Sequence, residues 1–207
     1  MPIRGKLVTE ISPTDILDLI QQRTPEDPFL EFKAELLDPR KPSERLDIDR
    51  ADWVADLVAF ANSGGGHIII GMEADDQERA SALRPMVGYD AKKLASTLRD
   101  LAIAHIKPHV DQLEVHSFEM TSADWIVIAA IPDSQGKPHM SSYNQGTRFA
   151  VRDGNRKREM TYGEIQDSYL KGPQQHLLSR FMSEVESIND RLGNLERDLL
   201  NIFRKVN

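Results

Sequence analysis

Cysteine is absent from this 207-residue chain. Its absence excludes disulfides, thiolate zinc sites and cysteine nucleophiles, and it favours a reducing compartment over an oxidising one. Long apolar runs are missing too. No stretch approaches the roughly 18 apolar residues that a membrane span requires, and the N-terminal MPIRGKLVTE lacks the apolar core of a secretory signal. A cytoplasmic protein with no membrane partner is the expectation. Excess positive charge is the third absence. With 26 Lys and Arg against 33 Asp and Glu the formal charge is -7, so bulk attraction to nucleic acid is excluded and any phosphate contact needs a local patch.

What is present supports one ordinary domain with an appendage: the chain is 40% hydrophobic and long enough to bury a core without staples. TDILDLIQQ predicts a short helix from about Pro13 to Gln22, capped by Thr14 and Asp15. FLEFKAEL reads as a short strand, and the proline-bearing, charged LLDPRKPSERLD after it as an exposed loop. Apolar residues at helical spacing then predict a helix from Ile48 to Asn62, stopped by Ser-Gly-Gly-Gly, and HIIIGM reads as a buried strand. A second helix is expected over about Asp90–Ile106, ended by Lys107-Pro108. QLEVHSFEM and WIVIAAIP predict a hairpin, TRFAVRD a half-buried strand, and TYGEIQDSYL a closing helix. Mixed element order of this kind gives an α+β fold class, a mixed or antiparallel sheet with flanking helices. Trp53 and Trp125 lie in apolar runs and are expected in the core.

The tail has its own period. Leu178, Phe181, Val185, Ile188, Leu192, Leu195, Leu199 and Ile202 follow a 3,4 spacing, the a/d pattern of a left-handed coiled coil. Residues 173–207 after the Gly172-Pro173 break therefore read as a coiled-coil helix that makes a homo-oligomer, or as an amphipathic helix on its own domain. The break and the strict period favour the former.

Chemistry-bearing residues gather at three places. Arg148, Arg152, Arg156, Lys157 and Arg158 fall within eleven positions and are the candidate nucleic-acid contacts, with Arg148 and Arg152 expected on one strand face. Asn62, Gly65 and Gly66 form a backbone turn, either a plain helix-to-strand connection with positive φ or a place where exposed amides meet a ligand. Lys33 alternates with Phe32 and shares a face with Glu31, where it neutralises that acid or touches a phosphate. No Walker motif or dinucleotide fingerprint accompanies the glycines, so no nucleotide cofactor is expected. The histidines have no ligand spacing, so no zinc is expected either.

The succession FLEFKAEL, VADLVAFANSGGGHIIIGME, IKPHV, WIVIAAIPDSQGKPHM and TRFAVRDGNRKREMTYGEI resembles the Schlafen-type AlbA-like domain, over about residues 26–170. The helix at Pro13–Gln22 makes residues 1–25 a helical lead-in, and the resemblance implies 26–171 as the AlbA-like α/β domain and RNA or DNA as partner. Members of that family that cut RNA use three carboxylates, two of them five residues apart. Carried over here, these are Glu26, Glu31 of Glu-Phe-Lys, and Glu73 after Ile70-Gly71-Met72. They imply a Mg- or Mn-dependent endoribonuclease acting on structured RNA such as tRNA, with the three acids as metal ligands and catalytic residues. The sequence departs from the nuclease pattern in having Asp27-Pro28 after Glu26 and no cysteine. The alternative is a non-catalytic DNA-binding regulator or assembly module in which Glu31 is structural.

Overall fold

In the computed structural model, which describes residues 3, 6–84, 86, 90–120, 124–143, 146–170, 182 and 185, the first helix opens on Ser12. In α1 (Pro13–Gln21) the Asp15 N–H donates to Ser12 Oγ at 3.3 Å, while the Ser12 N–H donates to the Asp15 carboxylate at 2.9 Å. This reciprocal box replaces the expected Thr14 and Asp15 caps, because Pro13 at the first helical position needs no partner for an N–H.

β1 (Leu30–Lys33) leads to α2 (Ser43–Asn62), then β2 (Gly66–Ile70), β3 (Met72–Ala74), β4 (Ala80–Leu83) and α3 (Ala91–His105). β5 (Ile106–Lys107), β6 (Glu114–Glu119), β7 (Trp125–Ile131), β8 (Met140–Ser141), β9 (Ala150–Asp153) and β10 (Arg156–Glu159) follow, and residues 162–170 are helical. α2 starts five residues before the predicted Ile48. Its polar first turn buries no apolar residue and so carries no helical period. Ion pairing between Arg45 and Asp49 at 3.0 Å holds it, and buried Asp49 accepts from Leu37 N at 3.2 Å.

The main sheet has the order β1-β2-β7-β6, parallel between β1 and β2 and antiparallel elsewhere, which makes it mixed as expected. Both faces are covered, which is why β2 reads as an unbroken apolar run. Ile68, Ile70, Val127 and Ala129 face α2 and α3. Ile69, Ile126 and Ile128 face the other way, toward Ile16 and Leu19 of α1, Met72, and Ile3, Val8 and Ile11. Trp53 is fully buried between the two long helices, its indole N–H donating to Leu98 O at 2.9 Å. Trp125 is partly buried, with the Lys92 ammonium 5.5 Å from its ring centre.

The α2-to-β2 connection is the tight glycine turn. Gly65 has φ +76°, and a Cβ there would stand 2.4 Å from Ile131 O. No side chain fits that approach. Asn62 itself does not take positive φ. It ends α2, and its side-chain amide donates to His139 O and Ala150 O at 2.9 Å each and accepts from His139 N at 2.8 Å. Asn62 therefore clips two distant segments onto the helix end. The heptad tail of 173–207 lies outside the described residues, apart from Met182 and Val185, which are helical. Among the described residues no helix is long and apolar enough to cross a membrane.

Candidate nucleic-acid interface

β1 carries Glu31 and Lys33 on one face, two positions apart, and the crossover of α2 and the β9–β10 hairpin bring their partners. Lys33 Nζ lies 3.4 Å from Glu31 Oε1, 2.7 Å from Asp56 Oδ2 and 3.6 Å from Asp52 Oδ2. Lys157 of β10 reaches the same two aspartates, 2.7 Å from Asp56 Oδ1 and in close contact with Asp52. Arg152 of β9 lies 2.7 Å from Glu31 Oε2 and donates to Asp27 O and Asn155 O at 3.2 and 2.8 Å. Its guanidinium carbon is 4.6 Å from the centre of the Phe60 ring. Three cations thus face three carboxylates, and the cluster has no net charge with which to attract a phosphate or a cation.

Burial works against the Lys33 ammonium, yet the charges of Asp56, Glu31 and Asp52 outweigh it and hold the group firmly protonated. For Asp52, burial acts upward, and Lys157 and Lys33 pull its carboxyl below the usual range. The two aspartates escaped sequence reading, although one signal was visible: Asp56 interrupts the apolar run Trp53–Phe60, where a lone acid needs a partner.

Glu26 sits beside this cluster and, among the described residues, forms no ion pair, although the charge of Arg152 acts on it. Its Oε1 accepts from Phe32 N at 2.8 Å. Burial pushes its carboxyl up to about 7, the Phe32 N–H opposes that, and the neighbouring charges of Glu31 and Glu78 add to it. Glu26 and Glu31 are therefore near one another, two of the three acids that the family resemblance named. Glu73 is elsewhere in role: it lies on β3, half exposed, 3.1 Å from Arg84. Each oxygen of Glu31 already faces a cation, and among the described residues no three His, Asp or Glu side chains group closely enough to hold a metal ion. In this arrangement the three-acid set does not fit Mg or Mn.

The basic run divides. The expectation that Arg148 and Arg152 lie on one strand is corrected, because β9 begins only at Ala150 and Arg148 precedes it in a bridge to Ser141. Arg148 has a side chain 70% exposed, 3.8 Å from Glu159, whereas that of Arg152 is 2% exposed and locked on Glu31. Lys157 is neutralised by α2. Arg158 lies between Glu164 at 2.7 Å and Asp153 at 3.3 Å. Arg156 is exposed and makes no ion pair among the described residues. Lys33, like Lys157, serves the internal network rather than the surface.

Residues 26–161 match the family described as Schlafen, AlbA_2, a span that includes every candidate residue named above. No curated protein matches the chain. Among solved structures, the DIP2311 protein from Corynebacterium diphtheriae is similar at 16% identity and a TM-score of 0.46 over 68% of this chain, which spans 23% of that one. The N-terminal domain of a RecG-related protein from Nitrosomonas europaea is similar at 15% identity and a TM-score of 0.45, over 69% of this chain and 88% of that domain.

Proposed function

Because the chain belongs to the Schlafen, AlbA_2 family, we propose that it is a nucleic-acid-binding protein, holding phosphates of RNA or DNA on the outer side of the β9–β10 hairpin. The observation that carries this reading is the exposed Arg156 at the hairpin's turn, opposite Asp153, with Arg148 exposed just before the same hairpin. Arg152 and Lys157 act beneath them as the anchors that fix the hairpin on β1 and α2. Phosphate contacts of this kind set affinity and position and carry no sequence preference. The heptad pattern of 173–207 adds self-association, which would present more than one such hairpin to a strand.

The test is the salt dependence of binding to tRNA, single-stranded RNA and duplex DNA. Replacing Arg148 and Arg156 together by Ala is expected to weaken binding and to flatten the slope of log K against log salt by roughly 0.7 to 0.9 per lost contact. An unchanged slope moves the interface elsewhere. Metal-dependent cleavage of structured RNA is the finer reading that the family resemblance implies. Parallel incubations with Mn²⁺ and with EDTA test it. EDTA-sensitive products that vanish in Glu31→Ala would put cleavage in place of binding alone, and their absence leaves a non-catalytic binding or assembly module.

A further inference from the structure

The outer face of the β9–β10 hairpin carries more than arginines. Lys157 faces α2, so alternation puts Arg156 and Arg158 on the opposite face, with Val151 across from Arg158. The Met160 N–H donates to Phe149 O at 2.8 Å, which continues the pairing and brings Phe149 onto that face two positions before Val151. The helix of residues 162–170 is tied to the hairpin at both ends. At its start the Glu164 N–H donates to Thr161 Oγ at 3.3 Å and the Thr161 N–H to the Glu164 carboxylate at 2.8 Å, and that carboxylate lies 2.7 Å from Arg158. Near its end Tyr169 meets Phe149 edge to face, the ring centres 6.4 Å apart and the planes at 77°.

Two tyrosines of this helix stand open. Tyr162 is 81% exposed and, among the described residues, has no hydrogen bond or ring contact. Tyr169 is 55% exposed, and an edge-to-face contact covers one face of one ring at most, so it keeps a ring face clear of Phe149. Seven positions separate the two, close to two helical turns, which puts both on one side of the helix about 10 Å apart. That spacing matches roughly three stacked bases at about 3.4 Å each.

The charges nearby are nearly balanced. Arg158 has Glu164 and Asp153, Arg148 has Glu159 at 3.8 Å, and Arg156 has no ion pair among the described residues. Few phosphate contacts mean little affinity from charge. Aromatic rings supply affinity without charge, by stacking, and only an unpaired base offers them a free face. We propose, resting on the nucleic-acid reading above and deepening it, that Tyr162 and Tyr169 form a stacking platform for unpaired bases, with Arg156 and Arg148 holding phosphates beside it. The ligand class is single-stranded RNA or DNA rather than duplex.

The test compares labelled RNA and DNA strands of about twelve nucleotides, within the usual reach of single-strand sites, with the same strands annealed to their complements, across a salt series. A single strand is expected to bind roughly tenfold more tightly than its duplex, about one base's worth of stacking. Tyr162→Ala is expected to erase most of that preference without changing the salt slope, and Tyr162→Phe, which keeps the ring, to retain it. Tyr169→Leu, which keeps an apolar contact for Phe149, is expected to act in the same direction as Tyr162→Ala. Equal binding of strand and duplex, or a preference that Tyr162→Ala and Tyr169→Leu both leave intact, overturns the platform; a slope that still flattens in the Arg148 and Arg156 double variant then leaves the hairpin interface standing. Loss of the preference in Tyr162→Phe as well as in Tyr162→Ala overturns stacking as its cause. A parent that binds neither form overturns the nucleic-acid reading, and the platform falls with it.

Discussion

At the residue scale the most informative group is Glu26, because its environment and its neighbours disagree. Arg152 and Lys33 satisfy Glu31, and Glu26 is left with one backbone donor and a raised affinity for its proton. The folded value of about 7 lies above the ordinary 4.5. The stabilising contribution is therefore fully present below about 4.5 and is lost as the pH rises through 7. Glu26→Gln keeps an acceptor for Phe32 N and removes the titration. Thermal denaturation at pH 5 and pH 8 should show the variant gaining on the parent at the higher pH, and an identical difference at both would refute the assignment. The family resemblance, not the spacing by itself, named Glu26 and Glu31 together. Of the two cations on Glu31, Lys33 was legible from their shared face, whereas Arg152 was not, since it is 121 positions away and reads locally as one more member of a basic run.

Among the elements, the long ones were readable, as were the short β1 and β9, whereas the other short strands were not. α2, α3, β2 and β7 have enough residues for a period or an apolar run to show. β3, β4, β5 and β8 have two to four residues each, too few for an alternation to stand out. β10 is Arg-Lys-Arg-Glu, with no apolar residue at all, and it is a strand only because it pairs with β9 from Arg156↔Asp153 to Glu159↔Ala150. The end of α2 illustrates the same limit. Asn62 looks like a helix stop, whereas its amide is the clamp for the His139 loop and β9. In Asn62→Ala the backbone groups of His139 and Ala150 lose three hydrogen bonds. Unpaired buried groups cost roughly 1–3 kcal/mol each, and partial access of water makes about 3 kcal/mol the expected total, read as a lower urea midpoint with an unchanged m-value. A loss within 0.5 kcal/mol of zero would show that the clamp is dispensable.

For the whole molecule, the -7 charge and a basic hairpin are compatible because most of the hairpin's charge is spent internally, on Asp52, Asp56, Glu31 and Glu164. Two open arginines remain, a footprint suited to positioning a strand rather than coating it. Repetition of that footprint by self-association is a natural complement, and light scattering before and after removal of residues 173–207 tests it. The full chain is expected to have at least twice the mass of one copy and the shortened chain to be monomeric; a monomeric full chain contradicts the coil. The span between Glu31 and Arg152 has a further consequence, for how the protein is made. At about 5–20 residues per second of synthesis, on the order of ten seconds separates the emergence of β1 from that of β9. A nascent or prematurely terminated chain shorter than Arg152 has its acids on α2 and β1 without two of their three cations, and it carries no hairpin. On the proposed reading such a chain lacks the interface, which exists only once synthesis has passed Glu159.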